Sequence, residues 1–517
     1  MKPIWILGAG ILLRLALATL RIDRIWADEH YQTLEPAYYL LHGHGYLSWE
    51  WREGFRSWSL PLLHTPILAL SWLLGFKGGI GATILARSVY AILDAWIWYR
   101  LAGWIFPEVQ TSKLDDNGNP QLQKTLFLFI ALLSPTLALW GVTTLQDHLV
   151  MLMFWGLIPT LLTWSLSLRP LSVGLSAFLL FAIAIPKPQM ALLCLGTAAG
   201  MLWLVRGKLH SPAGKKALLA MGAGSLAAGL LAGVLDWATM GRFAGTILNQ
   251  LARGEAISRT YGVSPFAEYF YKIPDLLGWS TLVALLPLAL LAGYSRPNAR
   301  ARELFTATAP GVFLFLAVHM AIPHKEIRFL LPLVPAFFLA MVACQIPTPK
   351  RYASFFRELA RRLAWFKLPS TLAFNLSLLI PDVILCVIFW FSVQSGLGHT
   401  LYYTSVEVGR LEEWIRKDWR ANQAPSSQAT MRPIKLCVLG GNWSFMRGSL
   451  ALESPVEYVS AFYPHELESV MPQSSQCHYV IAKQEWNFRS LATQPEQWRL
   501  IEVSQNGFEL FKRLKTL

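Results

Sequence analysis

The sequence predicts a mainly α-helical, polytopic membrane protein with about eleven transmembrane helices and a small C-terminal α/β domain outside the membrane. Three observations carry that prediction. The chain is 54% hydrophobic, has a mean hydropathy of +0.40 and only 15% charged residues, which is not the composition of an ordinary water-soluble protein. Apolar runs close to the ~17–25 residues a bilayer crossing needs recur from residue 4 to residue 393, then stop. The net charge of +14 does not indicate nucleic acid as a partner, because Lys and Arg collect in short loops between the apolar runs.

The expected spans are 4–20, 80–105, 125–141, 148–166, 171–186, 189–205, 218–235, 277–294, 305–321, 329–347 and 370–393. The first lacks a small-residue cleavage site and reads as a membrane helix rather than a signal peptide. The run 60–75 contains two prolines and a histidine, and is placed as an interfacial or re-entrant piece of a long first loop, 21–79. Basic residues concentrate in 106–124, 206–217, 295–304 and 348–369, which makes those loops cytoplasmic. The opposite face then holds the first loop, 142–147, 236–276, 322–328 and the tail. The expected division is therefore a transmembrane domain over 1–393 and a soluble domain over 394–517. In the tail, Ile434–Gly440 and Cys477–Ala482 read as buried strands, and Leu500–Val503 and Phe508–Phe511 flank a Gln505-Asn506-Gly507 hairpin turn. Cys437 and Cys477 share this tail and would pair on an oxidising side of the membrane.

The first loop is rich in aromatic, histidine and acidic residues. A polar loop of that length between membrane segments points to function. Asp28-Glu29 follows the first span. Paired acids at a helix end serve as cap and dipole partner, or as a general base if a hydroxyl lies within hydrogen-bond reach. Pro36 opens a short helix over 36–42 that Gly43 and Gly45 end. His42 and His44 have no third ligand at useful spacing, so no metal site is assigned. Tyr46–Trp51 alternates as a strand would, and its aromatics suit either interface anchoring or stacking on a sugar. Arg56 is placed where a cation can meet a phosphate. A second constellation, His324-Lys325-Glu326-Ile327-Arg328-Phe329, lies between two spans on the face otherwise poor in basic loops, as an anion site would.

Asp28-Glu29, Gln32-x-Leu34-Glu35, Gly45-Tyr46-Leu47-Ser48-Trp49-Glu50-Trp51, Arg56-Ser57 and His324-Lys325-Glu326-x-Arg328-Phe329-x-x-Pro332 together resemble glycosyltransferase family 22. These are polyprenyl-phosphate-mannose-dependent α-mannosyltransferases of the GT-C superfamily. The first loop is most similar to the branch that adds the third mannose of GPI anchors. Asn249–Pro274 is similar to a further loop of the family, through Tyr261-Gly262 and Tyr269-Phe270.

The resemblance covers about 1–340. It implies a GT-C membrane fold and an inverting hexosyltransfer, with mannose passing from a polyprenyl-phosphate donor to a lipid-linked glycan or other hydroxyl. Asp28 would be the base, with Glu29 assisting or substituting. His324, Lys325 and Arg328 would hold the donor phosphate. Trp49, Glu50, Arg56 and Tyr261 would line the acceptor side. Gln146-Asp147 and Lys187 stand where the family has other residues, and the resemblance implies them as substitutes at the acceptor and the phosphate respectively. No cofactor is required, and a divalent ion near Asp28 stays open. The expected setting is a bacterial inner membrane with the site external, with the endoplasmic reticulum as the alternative. The rival class is a transporter or flippase of lipid-linked sugars. For it the main buried-looking acid is Asp94, with Arg87 two turns earlier as a structural ion pair.

Overall fold

The computed structural model describes residues 3–20, 28–45, 47–76, 79–107, 120–278 and 298–343, and isolated positions between 281 and 289. In the C-terminal part it describes 414–419 except 416, 434–439, 456–461, 477–483, 498–503 and 508–513. The expected span at 370–393, most of that at 277–294 and the loop 348–369 lie outside the described residues. The chain divides into two compact units. One comprises Met1–Leu17, Glu53–Ser59 and Ser88–Ser392; the other comprises Ala18–Arg52, Leu60–Arg87 and Val393–Leu517.

The first unit is helical. It holds most of α1 (Pro3–Leu20) and residues 88–105 of a longer helix, Gly79–Ile105. Four of the described helices are long and apolar enough to cross a membrane, namely Gln146–Leu166, Met190–Lys208, Pro212–Met240 and Ala299–Ala321. The expected span 125–141 is broken into Pro120–Leu133 and Pro135–Trp140. Pro135 has no N–H to continue the first helix, and Ser134 caps the second by accepting from the Leu137 N–H. The expected span 329–347 likewise starts as a 3₁₀ turn, Ile327–Leu333, before Val334–Ala343, with Pro332 and Pro335 at the change. Close helix crossings rest on glycine. A Cβ at Gly196 would meet the Gly311 Cα at 2.3 Å, and one at Gly200 would meet the Ala307 carbonyl oxygen at 2.2 Å, the small-residue packing that lets membrane helices approach.

A buried ionic network holds this bundle. Arg14 donates to Asp94 at 2.8 Å and to the carbonyls of Ala131 and Leu132, and His148 reaches Asp94 at 3.3 Å. The pairing of Asp94 with Arg87 expected from sequence is therefore replaced. Helical spacing brings the two onto one helix, but a partner from another helix satisfies each. Gly141 lies against this network, since a Cβ there would be 2.6 Å from Asp94 Oδ2.

The second unit contains a helical stretch from Asp28 to His42. It includes a π-helical turn at His30–Leu34 and then α2, Glu35–His42, which Gly43 ends in a left-handed conformation at φ 71°. The expected helix over 36–42 is present. Tyr46 lies outside the described residues, and the rest of the strand-like alternation runs into a short helix, Trp49–Arg52, at whose start the Ser48 carbonyl accepts from the N–H groups of Trp51 and Arg52. The run 60–75 forms a continuous helix, Ser59–Leu73. Leu34, Ala37, Tyr38, Leu68, Ala82 and Ala86 make the core of this part. Further on, strands β1 (Ile434–Leu439), β2 (Val456–Ala461), β3 (Tyr479–Lys483), β4 (Trp498–Val503) and β5 (Phe508–Arg513) form one sheet in the order β2-β1-β3-β5-β4. β1 pairs in parallel with β2 and β3, and β5 pairs antiparallel with β3 and β4. Cys437 and Cys477 are joined in a disulfide, with Cα atoms 5.9 Å apart.

Candidate active site

In the first unit, four distant stretches bring polar side chains together. The chain turns after Trp140 and starts the helix Gln146–Leu166 with two buried polar residues, Gln146 and Asp147. An acid in a first helical turn is favoured by the helix dipole. The loop Ile183–Gln189 brings in Lys187, which ion-pairs with Asp147; both side chains are almost fully buried. Gln146 donates to the Pro186 carbonyl and accepts from Arg56 at 2.5 Å. Trp155, two turns into the same helix, donates to the Pro332 carbonyl at 2.8 Å and so fastens the 3₁₀ turn that carries Arg328.

Burial pushes the Lys187 ammonium below its ordinary value. Asp147 opposes that shift, and the like charges of Arg56 and Arg328 add to it. The Lys187 Nζ also sits 5.1 Å from the centre of the Phe329 ring, and the Arg328 guanidinium 5.5 Å from the same ring. Arg56, Gln146, Asp147, Lys187 and Arg328 therefore share one neighbourhood.

Within the His324–Phe329 hairpin the acid is the organiser. Glu326 accepts a hydrogen bond from a terminal Arg328 nitrogen at 2.9 Å, lies 2.7 Å from Arg328 Nε as an ion pair, and lies 3.0 Å from His324 Nε2. Lys325 donates to the carbonyls of Ile322 and Ser264, which uses two of its three ammonium hydrogens. Tyr261 is largely exposed and lies with its ring 5.7 Å from that of His324. The sequence reading gave no role to Tyr269. Its side chain is 1% exposed, and its hydroxyl makes no hydrogen bond of normal geometry among the described residues. Burial, with Asp147 and Glu326 nearby, pushes its phenol up, so it stays protonated. Its place in the Tyr269-Phe270 pair was the available signal.

In the second unit the two neighbouring acids sit in different surroundings. Asp28 is partly exposed at the start of the helical stretch. Glu29 is 1% exposed and is held by the Arg87 Nε at 2.8 Å and a terminal Arg87 nitrogen at 2.7 Å. Its carboxylate is thus locked in a two-point guanidinium pair inside the unit. Gln32 donates to both oxygens of Glu50 at 3.2 Å and 3.3 Å. Trp49 starts the short helix, while Trp51 is buried and donates to the Tyr31 carbonyl at 2.9 Å. Among the described residues, no three His, Cys, Asp or Glu side chains are grouped to hold a metal ion.

The family model described as the Alg9-like mannosyltransferase family matches residues 5–407. The chain belongs to that family. A GPI mannosyltransferase 3 of Yarrowia lipolytica is 28% identical to this mannosyltransferase-family chain over 391 residues, which is 74% of this chain and 66% of the relative. A GPI mannosyltransferase 3 of Drosophila melanogaster is 28% identical over 345 residues, 65% of this chain and 55% of the relative. The chain thus spans less than two thirds of the length of either. The crystal structure of ArnT from Cupriavidus metallidurans bound to undecaprenyl phosphate matches with a TM-score of 0.58 at 12% identity, over 99% of this chain and 98% of that one. Its apo form matches with a TM-score of 0.52. The family member therefore shares its fold with that protein, and the family it belongs to is one of mannosyltransferases.

Proposed function

We propose that this protein is an inverting mannosyltransferase that moves mannose from a polyprenyl-phosphate donor to a hydroxyl of a lipid-linked glycan, forming an α-linkage. The observation that carries the reading is the gathering of Arg56, Lys187 and Arg328 around Gln146 and Asp147. Fixed cations at one place suit a leaving phosphate, and no proton donor is needed for that group to depart. Kinship with GPI mannosyltransferases supports the sugar, and the fold shared with a protein solved with undecaprenyl phosphate supports the donor class.

In the proposed step, the base is Asp28, a role assigned by family resemblance alone; it takes the proton of the acceptor hydroxyl, whose oxygen forms the new bond to the anomeric carbon. The bond from that carbon to the phosphate oxygen breaks, and the electron pair leaves with the lipid phosphate. Lys187 and Arg328, with the remaining donor hydrogen of Lys325, offset the charge. Glu29 keeps Asp28 oriented through its pair with Arg87. Family resemblance alone assigns Trp49, Glu50 and Tyr261 to the acceptor, and no metal ion is required by the step. The disulfide supports an oxidising side for the tail. An external bacterial or a luminal endoplasmic-reticulum face both meet that condition, and eukaryotic curated relatives favour the second. The test incubates purified protein with labelled polyprenyl-phosphate mannose and lipid-linked acceptors. Asp28→Asn is expected to reduce transfer by ~10²–10⁴-fold, the usual contribution of a general base, with donor binding intact. Ordinary turnover in that variant would remove the assignment.

A further inference from the structure

We infer that residues 243–271 lie in the headgroup layer of the bilayer, as an amphipathic clamp that holds the cationic hairpin at the membrane surface. Nothing in the proposed transfer step requires this placement, and it stands on separate observations.

The segment is fastened at its start to the end of a membrane-length helix and, just past residue 271, to the short helix Pro135–Trp140. At its start, Phe243 folds back onto the 29-residue helix Pro212–Met240, where a Cβ at Gly233 would lie 2.2 Å from the ring. Gly233 precedes the end of that helix by about 10 Å at 1.5 Å per residue. Asp236, also within the helix, accepts from the N–H of Thr246 at 2.8 Å and from its hydroxyl at 3.0 Å. Just past its far end, the Leu276 carbonyl accepts from Trp140 Nε1 at 3.0 Å, and Gly278 abuts Thr136.

Between these anchors the side chains sort by face. In the helix Glu268–Leu277, Tyr269, Leu276 and Leu277 are buried while Phe270 and Tyr271 point out. Val263, Phe266, Phe270 and Tyr271 are between 57% and 78% exposed. Such a patch beside an apolar span is a membrane-contacting surface, and ring-bearing side chains favour the lipid–water boundary. The nearby charges are internally paired, Arg253 with Glu53, Arg259 with Glu255 and Lys272 with Glu268. The contact is therefore apolar insertion and needs no anionic lipid.

The same segment grips the hairpin. The His324 N–H donates to Ser258 Oγ at 2.9 Å, the Ser264 N–H donates to the Pro323 carbonyl at 2.9 Å, and Lys325 donates to the Ser264 carbonyl at 3.2 Å. It also grips the stretch before Arg56, through Asn249 to the carbonyls of Glu53 and Gly54 and Gln250 to that of Phe55. Placing it in the headgroup layer sets the candidate phosphate residues at the depth of lipid phosphates.

The test attaches an environment-sensitive fluorophore at Phe266→Cys, Tyr271→Cys and, at an exposed charged position, Glu255→Cys. Unsubstituted protein labelled in parallel supplies the background. Each is reconstituted in phosphatidylcholine nanodiscs with spin-labelled lipid carrying its quencher near the headgroup or at mid-chain. Positions 266 and 271 are expected to be quenched at least twofold more than 255, and more by the shallow quencher. Equal quenching at all three positions, as with water or a protein partner over the patch, would overturn the inference. So would an effect that requires anionic lipid.

Discussion

Neutralising Asp147 is the sharpest probe of the cationic cluster. Asp147→Asn keeps the shape but leaves Lys187 in a site where the two side chains are 4% and 5% exposed, with Arg56 and Arg328 as repelling neighbours. Breaking a buried pair from one side costs about 3–5 kcal/mol. The upper end has an independent bound. Lys187 can escape by losing its proton, which from an ordinary value of 10.5 costs about 5 kcal/mol at pH 7, at 1.36 kcal/mol per unit. For the 517-residue chain, about 2.1 cal/mol/K of unfolding entropy per residue turns 3–5 kcal/mol into a Tm loss of about 3–5 °C. The sign with pH follows. The variant's folded state holds the proton of Lys187 less tightly than the unfolded chain does, so its stability rises with pH below 10.5. At pH 9 the cost of losing the proton is only about 2 kcal/mol, and the deficit against wild type should shrink. Thermal unfolding followed by tryptophan fluorescence in micelles at pH 7 and pH 9 reads both effects. Adding Lys187→Met should restore stability while leaving donor binding weak. A melting point within 1 °C of wild type for Asp147→Asn at pH 7 would refute the buried pair. Wild-type donor affinity in the double variant would remove Lys187 from the phosphate site.

The remaining predictions address support and packing. Glu29→Gln leaves Arg87 buried without its carboxylate, and should lower both melting temperature and kcat. Glu29→Gln with Arg87→Met should regain stability but not turnover, and a single variant with turnover within twofold of wild type would count against the positioning role. Gly196→Ala puts a methyl group 2.3 Å from the Gly311 Cα, whereas Gly222→Ala meets nothing within 4 Å. The first should lose most of its monodisperse peak in size-exclusion chromatography, and the second should keep it. Cys437→Ser removes a bridge across a sequence separation of 40. A loop of that size is worth about 4 kcal/mol in the chain-entropy account, to be read as a lower unfolding midpoint for the sheet.

The membrane class and most helices were legible because apolar length is a strong, local signal. The breaks at Ser134-Pro135 and at Pro332 were visible as residues but were overridden by the hydropathy of the run around them. The tail hairpin was read from an Asn-Gly turn between two apolar runs, and β4 and β5 do pair antiparallel. The alternation over 46–51 misled because so short a pattern cannot distinguish a strand from the start of a four-residue helix such as Trp49–Arg52. At the candidate site, the residue types that gather near Lys187 were named, but their partners were not. Asp94 found Arg14 rather than Arg87, and Glu29 found Arg87. Long-range pairing depends on which helices are neighbours, and no single-sequence pattern records that.

The wide turn at His30–Leu34 carries a constraint of length. A π-helical turn accommodates one extra residue, so the side chains on either side fall out of step with an uninterrupted α-helix by about 100°. The carboxylate that meets Arg87 precedes this wide turn, while the side chains that build the neighbouring core, from Leu34 to Tyr38, come at its end and after it. Removing a single residue would force a choice between seating the core and keeping the guanidinium grip, since a regular coil cannot offer both faces at once. The spacing of this stretch is thus as binding on its evolution as the identity of its acids.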